Sequence, residues 1–407
     1  MRAATAPDAV RRASALEVLR VFLGLGMRAF GGPVAHLGYF REEFVVRRRW
    51  LPEASYAELL ALCQFLPGPA SSQVGFAIGL RHGGYAGALC AWLGFTLPSA
   101  LLMTSFALIA ASVDSVAQLG VLHGLQLVAV VIVAQAVLGM ARTLCPDVAR
   151  AGVAVLALAV ALQLRGLAGQ MLVMVVGALL GALLCRRAAF GTAEVAAAGF
   201  PVSRRAGGVA LALFVGLLLA LPLLQRGLHS GPLGLFSAFY RSGALVFGGG
   251  HVVLPLLRTA FVPPGWVSDA QFLAGYGAAQ ALPGPLFSFA AYLGAIARPG
   301  GHRLAGAALG LLGIFLPGML VLVAALPLWR ALASRAAARA ALLGVNAAVV
   351  GLLAAALYDP VWVSAVHSCA DGALVSAGFA LLLLARWPPW LVVLLSACMG
   401  AALARAA

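Results

Sequence analysis

The chain contains no lysine and few charged residues of either sign. Only 10% of its 407 residues are charged, against roughly 25% in soluble globular proteins. Twelve acidic and 27 basic side chains cannot cover the surface of a soluble protein of this length, which argues against a soluble enzyme. The chain is 63% apolar, with several runs that approach the roughly 20 residues needed to cross a bilayer. These features indicate a polytopic membrane protein.

Motifs for metal, cofactor or covalent chemistry are also missing. The six cysteines lie singly in or beside apolar segments, without CxxC or Cys/His spacing, so we expect neither disulfides nor a metal site. The sequence has no Walker A, HExxH or GxSxG motif, and we expect no cofactor and no enzymatic activity. The net charge of +15 would suggest nucleic-acid binding in a soluble protein. Here most arginines occupy short polar gaps, as in cytoplasmic loops, so the expected partner is a lipid bilayer and no nucleic acid.

What the chain does contain is an internal repeat. Phe-Gly-Gly at residues 30–32 recurs at 247–249, and Leu-Pro-Gly-Pro at 66–69 recurs at 282–285. We predict a first repeat unit at residues 1–185, a linker with one extra transmembrane helix at 186–233, and a second unit at 234–407. The apolar run at 209–224 is long enough to cross once, which would invert the second unit. The N-terminus has no clear cleavage site, and we expect a retained first helix with a cytoplasmic N-terminus.

Loop charges favour this inversion. The loop after the first Phe-Gly-Gly carries Arg41 and three arginines at 47–49, whereas its counterpart keeps Arg258 and adds Asp269. The loop near Asp114 has no base, whereas its counterpart carries three arginines, at 330, 335 and 339. Opposite charge bias at equivalent loops is what the positive-inside rule predicts for units of opposite orientation.

The predicted fold class is therefore an all-α polytopic membrane protein with two inverted-topology repeats. Broken or re-entrant helices and roughly 10–13 membrane segments are expected from the apolar length. Inverted repeats with broken helices are typical of secondary transporters, which bind substrate near the midplane between the repeats.

The two Leu-Pro-Gly-Pro stretches predict helix breaks that could hold an anion. Gly68 suits the left-handed end of one helix, and Pro69 suits the first turn of the next. The new helix presents free backbone N–H groups and a positive dipole end, which favour oxyanions. Inversion would bring two such ends together around a compact dianion, whereas the alternative for each stretch is a simple kink. The candidate substrate-binding residues are Gly68, Pro69, Ser71, Ser72, Gln73, Gly284, Pro285 and Ser288 at the breaks, with Gly31, Gly32, Gly248 and Gly249 at the Phe-Gly-Gly motifs, where helix packing is the alternative.

Four further residues are candidates for anion recruitment or coupling. Arg41 and Arg258 recur in both units, and a solvated interfacial helix, which is the more common role of such arginines, is the alternative. Glu58 is a lone carboxylate in an apolar segment, either a proton carrier or a residue near water at a helix start. His251 could titrate near neutral pH, but its counterpart is Val34, so a satisfied or interfacial histidine is the alternative.

Taken together, these motifs resemble the chromate ion transporters in their long, duplicated form. The resemblance rests on residues 30–33, 50–51 and 64–69, their second-unit copies, and the run 344–352, and it covers essentially the whole chain. It implies proton- or anion-driven export of chromate across the bacterial inner membrane, and chromate resistance. Sulfate or another oxyanion is the alternative substrate, an anion channel is the less favoured class, and a homodimer is left open.

The second unit has Phe-Gly-Gly-Gly-His at 247–251 rather than a strict copy of Phe-Gly-Gly-Pro at 30–33. The two halves are therefore not expected to be functionally equal. The residues alone indicate a transporter for a small oxyanion, and only the resemblance names chromate.

Overall fold

The computed structural model describes residues 13–110, 116–164, 166–186, 200–224, 231–297, 302–329 and 335–406, and every regular element in those ranges is helical. The helices of the first unit are α1 (Ala15–Arg28), α2 (Gly32–Arg41), α3 (Glu53–Phe65), α4 (Ala70–Ala110), α5 (Val116–Leu144), α6 (Val148–Gln163) and α7 (Leu167–Leu184). Those that follow are α8 (Arg204–Leu224), α9 (Pro232–Ala244), α10 (Val253–Phe261), α11 (Asp269–Gln280), α12 (Phe289–Ile296), α13 (Arg303–Ala325), α14 (Ala336–Ala356), α15 (Cys369–Leu383) and α16 (Pro389–Ala406).

The helices after α8 repeat the order of the helices before it. α4 bends at Gly84, where φ is +62°, and its two arms correspond to α12 and α13. Within the described residues, five helices are long and apolar enough to cross a membrane, and several shorter apolar helices accompany them. The all-α, two-repeat architecture expected from the sequence is confirmed. Asp114 and Arg330, used above to compare loop charges, lie outside the described residues.

The last helices of each unit pack on the other unit in matching pairs. Gly120 of α5 lies against Gly400 of α16, and Gly344 of α14 lies against Gly177 of α7. α14 is the repeat counterpart of α5, and α16 is the repeat counterpart of α7. The α5–α16 contact and the α14–α7 contact are therefore equivalent, with the two units exchanged. Exchange of this kind is the property of a two-fold axis. Glycines let the helix backbones approach closely at these crossings, as at many membrane helix interfaces.

The directions of the helices show that the axis inverts the second unit. His123 and Val131 of α5 lie against Asp371 and Gly378 of α15 respectively, so α5 and α15 run parallel. The helical segment after α14 is kinked at Asp359, and beyond it the ring of His367 lies 6.3 Å from that of His123 near the start of α5. At the other end of α5, Leu144 lies beside Gly248 together with Val349 of α14. α5 therefore runs opposite to its own counterpart, α14.

The first four helical arms of each unit form two helical hairpins. The backbone N–H of Ala13 donates to the carbonyl of His82 at 3.1 Å, and the rings of Trp50 and His82 lie 4.8 Å apart. The beginnings of α1 and α3 and the end of the first arm of α4 therefore share one face. Arg48, just beyond α2, returns to within 3.8 Å of Glu17 near the start of α1. Each pair thus enters and leaves the protein on the same face.

The second unit forms the same hairpins. The Tyr292 hydroxyl, in the middle of α12, donates to the Gln271 carbonyl near the start of α11, at 2.9 Å. Arg258 of α10 pairs with Asp269 of α11 at 2.7 Å. Because the units are inverted, these hairpins enter from the opposite face, and the four tips meet between the units.

Candidate functional site

The hairpin tips are joined across the two units by a symmetric pair of backbone hydrogen bonds. We call residues 66–69 the first break, 282–285 the second break, 29–33 the first glycine loop and 246–250 the second glycine loop. Gly68 N–H donates to the Val246 carbonyl at 2.7 Å, and Gly284 N–H donates to the Ala29 carbonyl at 3.0 Å. Val246 is the counterpart of Ala29, so each break is held by the glycine loop of the other unit.

The two glycine loops meet on the pseudo-two-fold axis itself. A Cβ added at Gly250 would lie 2.8 Å from Cγ of Pro33, and these two residues are each other's counterparts. Gly31, Gly32, Gly248 and Gly249 all have φ between +74° and +143°, which allows the chain to turn at the tips. The breaks and loops predicted from the sequence therefore come together in one place.

The first break has the shape predicted for a broken helix. Leu66 is extended, with φ −86° and ψ 152°, Gly68 has φ +120°, and α4 begins at Ala70. A Cβ added at Gly68 would lie 2.8 Å from Cα of Gly318 on α13. Positive φ and this close approach both require glycine at position 68.

Gln73 ties the first break to the second unit. Its Nε2 donates to the carbonyls of Pro67 at 2.9 Å and Gly318 at 2.8 Å. Within the part of the chain that the structure describes, the buried Gln73 Oε1 has no hydrogen-bond partner, and neither has the hydroxyl of Ser72, a residue that is only 4% exposed. An unpaired buried polar atom costs about 1–3 kcal/mol. Such atoms call for an explanation, and a ligand at the start of α4 supplies one.

The chemistry of this end of α4 suits a small oxyanion. The first backbone N–H groups of a helix have no acceptor within the helix, and the Ser72 hydroxyl can donate in the same direction. Ser71 is buried beside them. Among the described residues, no three His, Cys, Asp or Glu side chains are placed to hold a metal ion.

The second break is similar in backbone but less polar. Gly284 has φ +96°, and a Cβ there would lie 2.8 Å from Oγ of Ser99. The chain then forms a 3₁₀ turn, Leu286–Ser288, before α12, and Ser288 is buried. The position equivalent to Gln73 is Phe289. The buried unpaired oxygens of the first break therefore have no full counterpart at the second.

Several residues at the tips were missed from the sequence. Ser99 and Gly318 each follow the proline of the repeated Leu-Pro at 97–98 and 316–317, which was the available signal. The Thr96 hydroxyl and the Gln280 Nε2 are buried without partners near the second break. The carbonyls of Ala29 and Val246 carry no sequence signal, because any residue supplies them.

Three of the four predicted recruitment residues lie away from the tips. Arg41 pairs with Glu53 at 2.8 Å and Arg258 with Asp269 at 2.7 Å, so both arginines join hairpin ends rather than tips. His251 lies beside the second glycine loop, with its Nδ1 2.7 Å from the Tyr276 hydroxyl.

Glu58 is on α3, within electrostatic range of Arg81 on the first arm of α4. Of the four recruitment candidates, only His251 borders the site between the tips.

Comparison with known proteins gives a consistent result. The family model described as chromate transporter matches residues 16–182 and again 233–401. A chromate transport protein of Pseudomonas aeruginosa is 32% identical over 353 residues, which cover 84% of this chain and 80% of that protein. A probable chromate transport protein of Synechococcus elongatus is 29% identical, covering 84% and 83%. A chromate transport protein of Cupriavidus metallidurans is 26% identical, covering 84% and 81%. No solved structure matches the chain.

Proposed function

Since the chain belongs to the chromate transporter family, we propose that it is a secondary transporter that exports chromate from the cytoplasm across the bacterial inner membrane. Proton-motive force or anion exchange would drive the export, which would confer resistance to chromate. The observation that carries this proposal is the meeting of two broken helices between inverted units, joined by the bonds Gly68–Val246 and Gly284–Ala29.

Chromate is a tetrahedral dianion, and its burial in hydrocarbon without partners would be prohibitive. The first break offers it the amide groups at the start of α4 and the hydroxyl of Ser72. The helix dipole contributes about half a positive charge there. The second break, with Ser288, faces the same centre from the other unit and completes the site. Binding between inverted units also suits alternating access, because one unit can rock against the other around the substrate.

The charge distribution supports a direction for transport. Arg41 and the arginines at 47–49 lie on the face from which α1 and α3 enter, and their counterparts beyond α10 include only Arg258. The positive-inside rule favours a cytoplasmic location for an arginine-rich face, which supports a cytoplasmic N-terminus.

Uptake of labelled chromate into everted membrane vesicles tests the function. Everted vesicles expose the cytoplasmic face, so we expect chromate to accumulate inside them and an uncoupler to abolish the accumulation if protons drive transport. If the uncoupler has no effect, preloading the vesicles with a counter-anion should stimulate uptake. Absence of chromate accumulation under both conditions would overturn the proposal.

Sulfate is the second candidate substrate, because it is a tetrahedral dianion of similar size and the donors of the first break would bind either. Excess sulfate in the same assay should inhibit chromate uptake. Labelled sulfate that accumulates while chromate does not would make sulfate the substrate.

A further inference from the structure

A buried carboxylate beyond α2 is surrounded by three arginines. Glu43 lies in a π-helical turn, Glu42–Arg47, and its side chain is only 7% exposed. Its carboxylate accepts hydrogen bonds from Arg28 at 2.9 Å, Arg47 at 3.1 Å and Arg48 at 2.7 Å. We refer to Arg28, Arg47 and Arg48 as the arginine cluster.

The cluster holds more positive charge than Glu43 neutralises. Arg48 is also 3.8 Å from Glu17, but Arg28 and Arg47 make no other ion pair within the described residues. Their side chains are 52% and 58% exposed, so N–H groups that Glu43 does not use remain accessible. A planar guanidinium binds oxyanions through two parallel hydrogen bonds, and π-helical turns are frequent at functional sites.

The cluster is adjacent in the chain to the site between the tips. Arg28 ends α1 and is followed by Ala29, whose carbonyl accepts the hydrogen bond from Gly284 of the second break. The guanidiniums of Arg47 and Arg48 meet that of Arg28 at the Glu43 carboxylate, so the three lie at one place.

The opposite face has no equivalent of the cluster. The counterparts of Arg28, Glu43, Arg47 and Arg48 are Leu245, Ala260, Pro264 and Gly265. A cluster present on one face only can attract dianions from that side alone.

We propose that Arg28, Arg47 and Arg48 form a second oxyanion site, a loading site on the face from which substrate enters. The Glu43 carboxylate holds the three guanidiniums together in the empty site, and a tetrahedral dianion displaces it before moving on to the first break. The inference rests on the proposed function for the identity of the dianion, but the site requires only an oxyanion of this shape and charge.

Binding of sulfate and of chromate to the purified protein, measured by calorimetry, tests the loading site. Glu43→Gln removes the internal competitor and should lower the Kd about tenfold, while Arg28→Gln should raise it about tenfold. The matched control is Glu53→Gln, from an exposed ion pair on the same face, which should change the Kd less than twofold. Ser72→Ala should leave the loading step in place and weaken only the binding at the first break.

The competing explanation is that Glu43 and the arginines only stabilise the hairpin. In that case Glu43→Gln would weaken or not change binding and would lower the Tm, and this result would overturn the proposal. If Glu43→Gln does not fold, Arg47→Gln replaces it, because Arg47 is more than half exposed, and an unchanged Kd there would be equally decisive.

Vesicle transport separates this inference from the proposed function. A wild-type protein that transports chromate, with Arg28→Gln raising the KM and sparing the maximal rate, supports both. If the wild-type protein transports chromate and the arginine-cluster variants have the same KM as the control, the loading site alone is contradicted. If the Kd for sulfate changes in the variants as predicted above, but the wild-type protein does not transport chromate, the proposed function alone is contradicted.

Discussion

The hydroxyl of Ser72 is the side-chain donor that we expect to contact a substrate at the first break, since it is buried and has no hydrogen-bond partner among the described residues. We predict that Ser72→Ala lowers chromate transport about tenfold, because a hydrogen bond to a charged group contributes about 1.5–3 kcal/mol. Vesicle uptake at equal protein levels measures the effect. Ser376→Ala is the control, because its exposed hydroxyl only donates to Gly372 within α15. Full activity of the Ser72 variant would move the site away from this hydroxyl.

Ser288 should matter less than Ser72. It occupies the equivalent position at the second break, but Phe289 stands where the first break has Gln73. We predict that Ser288→Ala lowers transport by a smaller factor, and that the double variant is worse than either single variant. An unaffected double variant would exclude both breaks as the substrate site.

Gly68 sets the shape of the first break. We predict that Gly68→Ala lowers the stability by about 1–3 kcal/mol, the usual cost of overpacking, because the new methyl group would meet Cα of Gly318 at a positive φ. The thermal unfolding midpoint in detergent measures this loss. Gly216→Ala, in the middle of α8 with nothing within 4 Å of the added Cβ, is the matched control. Equal midpoints for the two variants would contradict the close contact.

Local residue chemistry explains why this part of the site was predictable. A glycine between two prolines inside apolar sequence specifies a left-handed turn and a new helix start, and both are present at 66–69. Gln73 was named as a candidate, but its role was not predictable. One of the hydrogen bonds of its side-chain amide goes to the carbonyl of Gly318. That residue is far away in the sequence, and only the packing of α13 against the first break brings it close.

At the scale of helices, the sequence left open whether the breaks end full crossings or re-entrant hairpins. Segments such as α3 and α10 are shorter than a bilayer requires, but short apolar runs do not reveal where the chain goes next. The answer depends on contacts such as Trp50–His82, which bring the two ends of a hairpin to one face.

The hairpins predict which positions share a side of the membrane. In a cysteine-free background, Glu53→Cys and Tyr85→Cys should react with a membrane-impermeant thiol reagent from one side. Asp269→Cys and His302→Cys should react from the opposite side, because the second unit is inverted. Intact cells and everted vesicles distinguish the two sides. Labelling of positions 53 and 85 from opposite sides would show a full crossing instead of a hairpin.

At the scale of the whole molecule, each unit depends on the other for its packing. α5 lies against α15 and α16, and α14 lies against α6 and α7, so a single unit would leave its glycine-lined faces without a partner. The repeat and its inversion could be predicted from motif spacing and loop charge. The exchange of partners between the units could not, because small-residue faces carry no information about which helix covers them.

This exchange predicts complementation between separated halves. Residues 1–186 and 200–407, expressed as two chains, should transport chromate only when they are present together. Co-purification and vesicle uptake measure the association and the activity. Gly344→Leu in the second half should prevent association, because any side chain there would meet the Gly177 carbonyl. Transport by either half alone would contradict the shared packing.

The bonds that join the hairpin tips have a consequence for how such proteins diverge. Gly68–Val246 and Gly284–Ala29 are bonds between main-chain atoms, and every residue except proline can donate them and every residue can accept them. Sequence drift at Ala29 and Val246 therefore leaves the connections chemically unchanged, provided that the glycines keep the backbone in place. A centre assembled from peptide groups can persist while most side chains around it are replaced. Selection can then act on side chains that differ between the units near this centre, such as Gln73 against Phe289 and Arg28 against Leu245, and we expect such differences to make its two sides unequal.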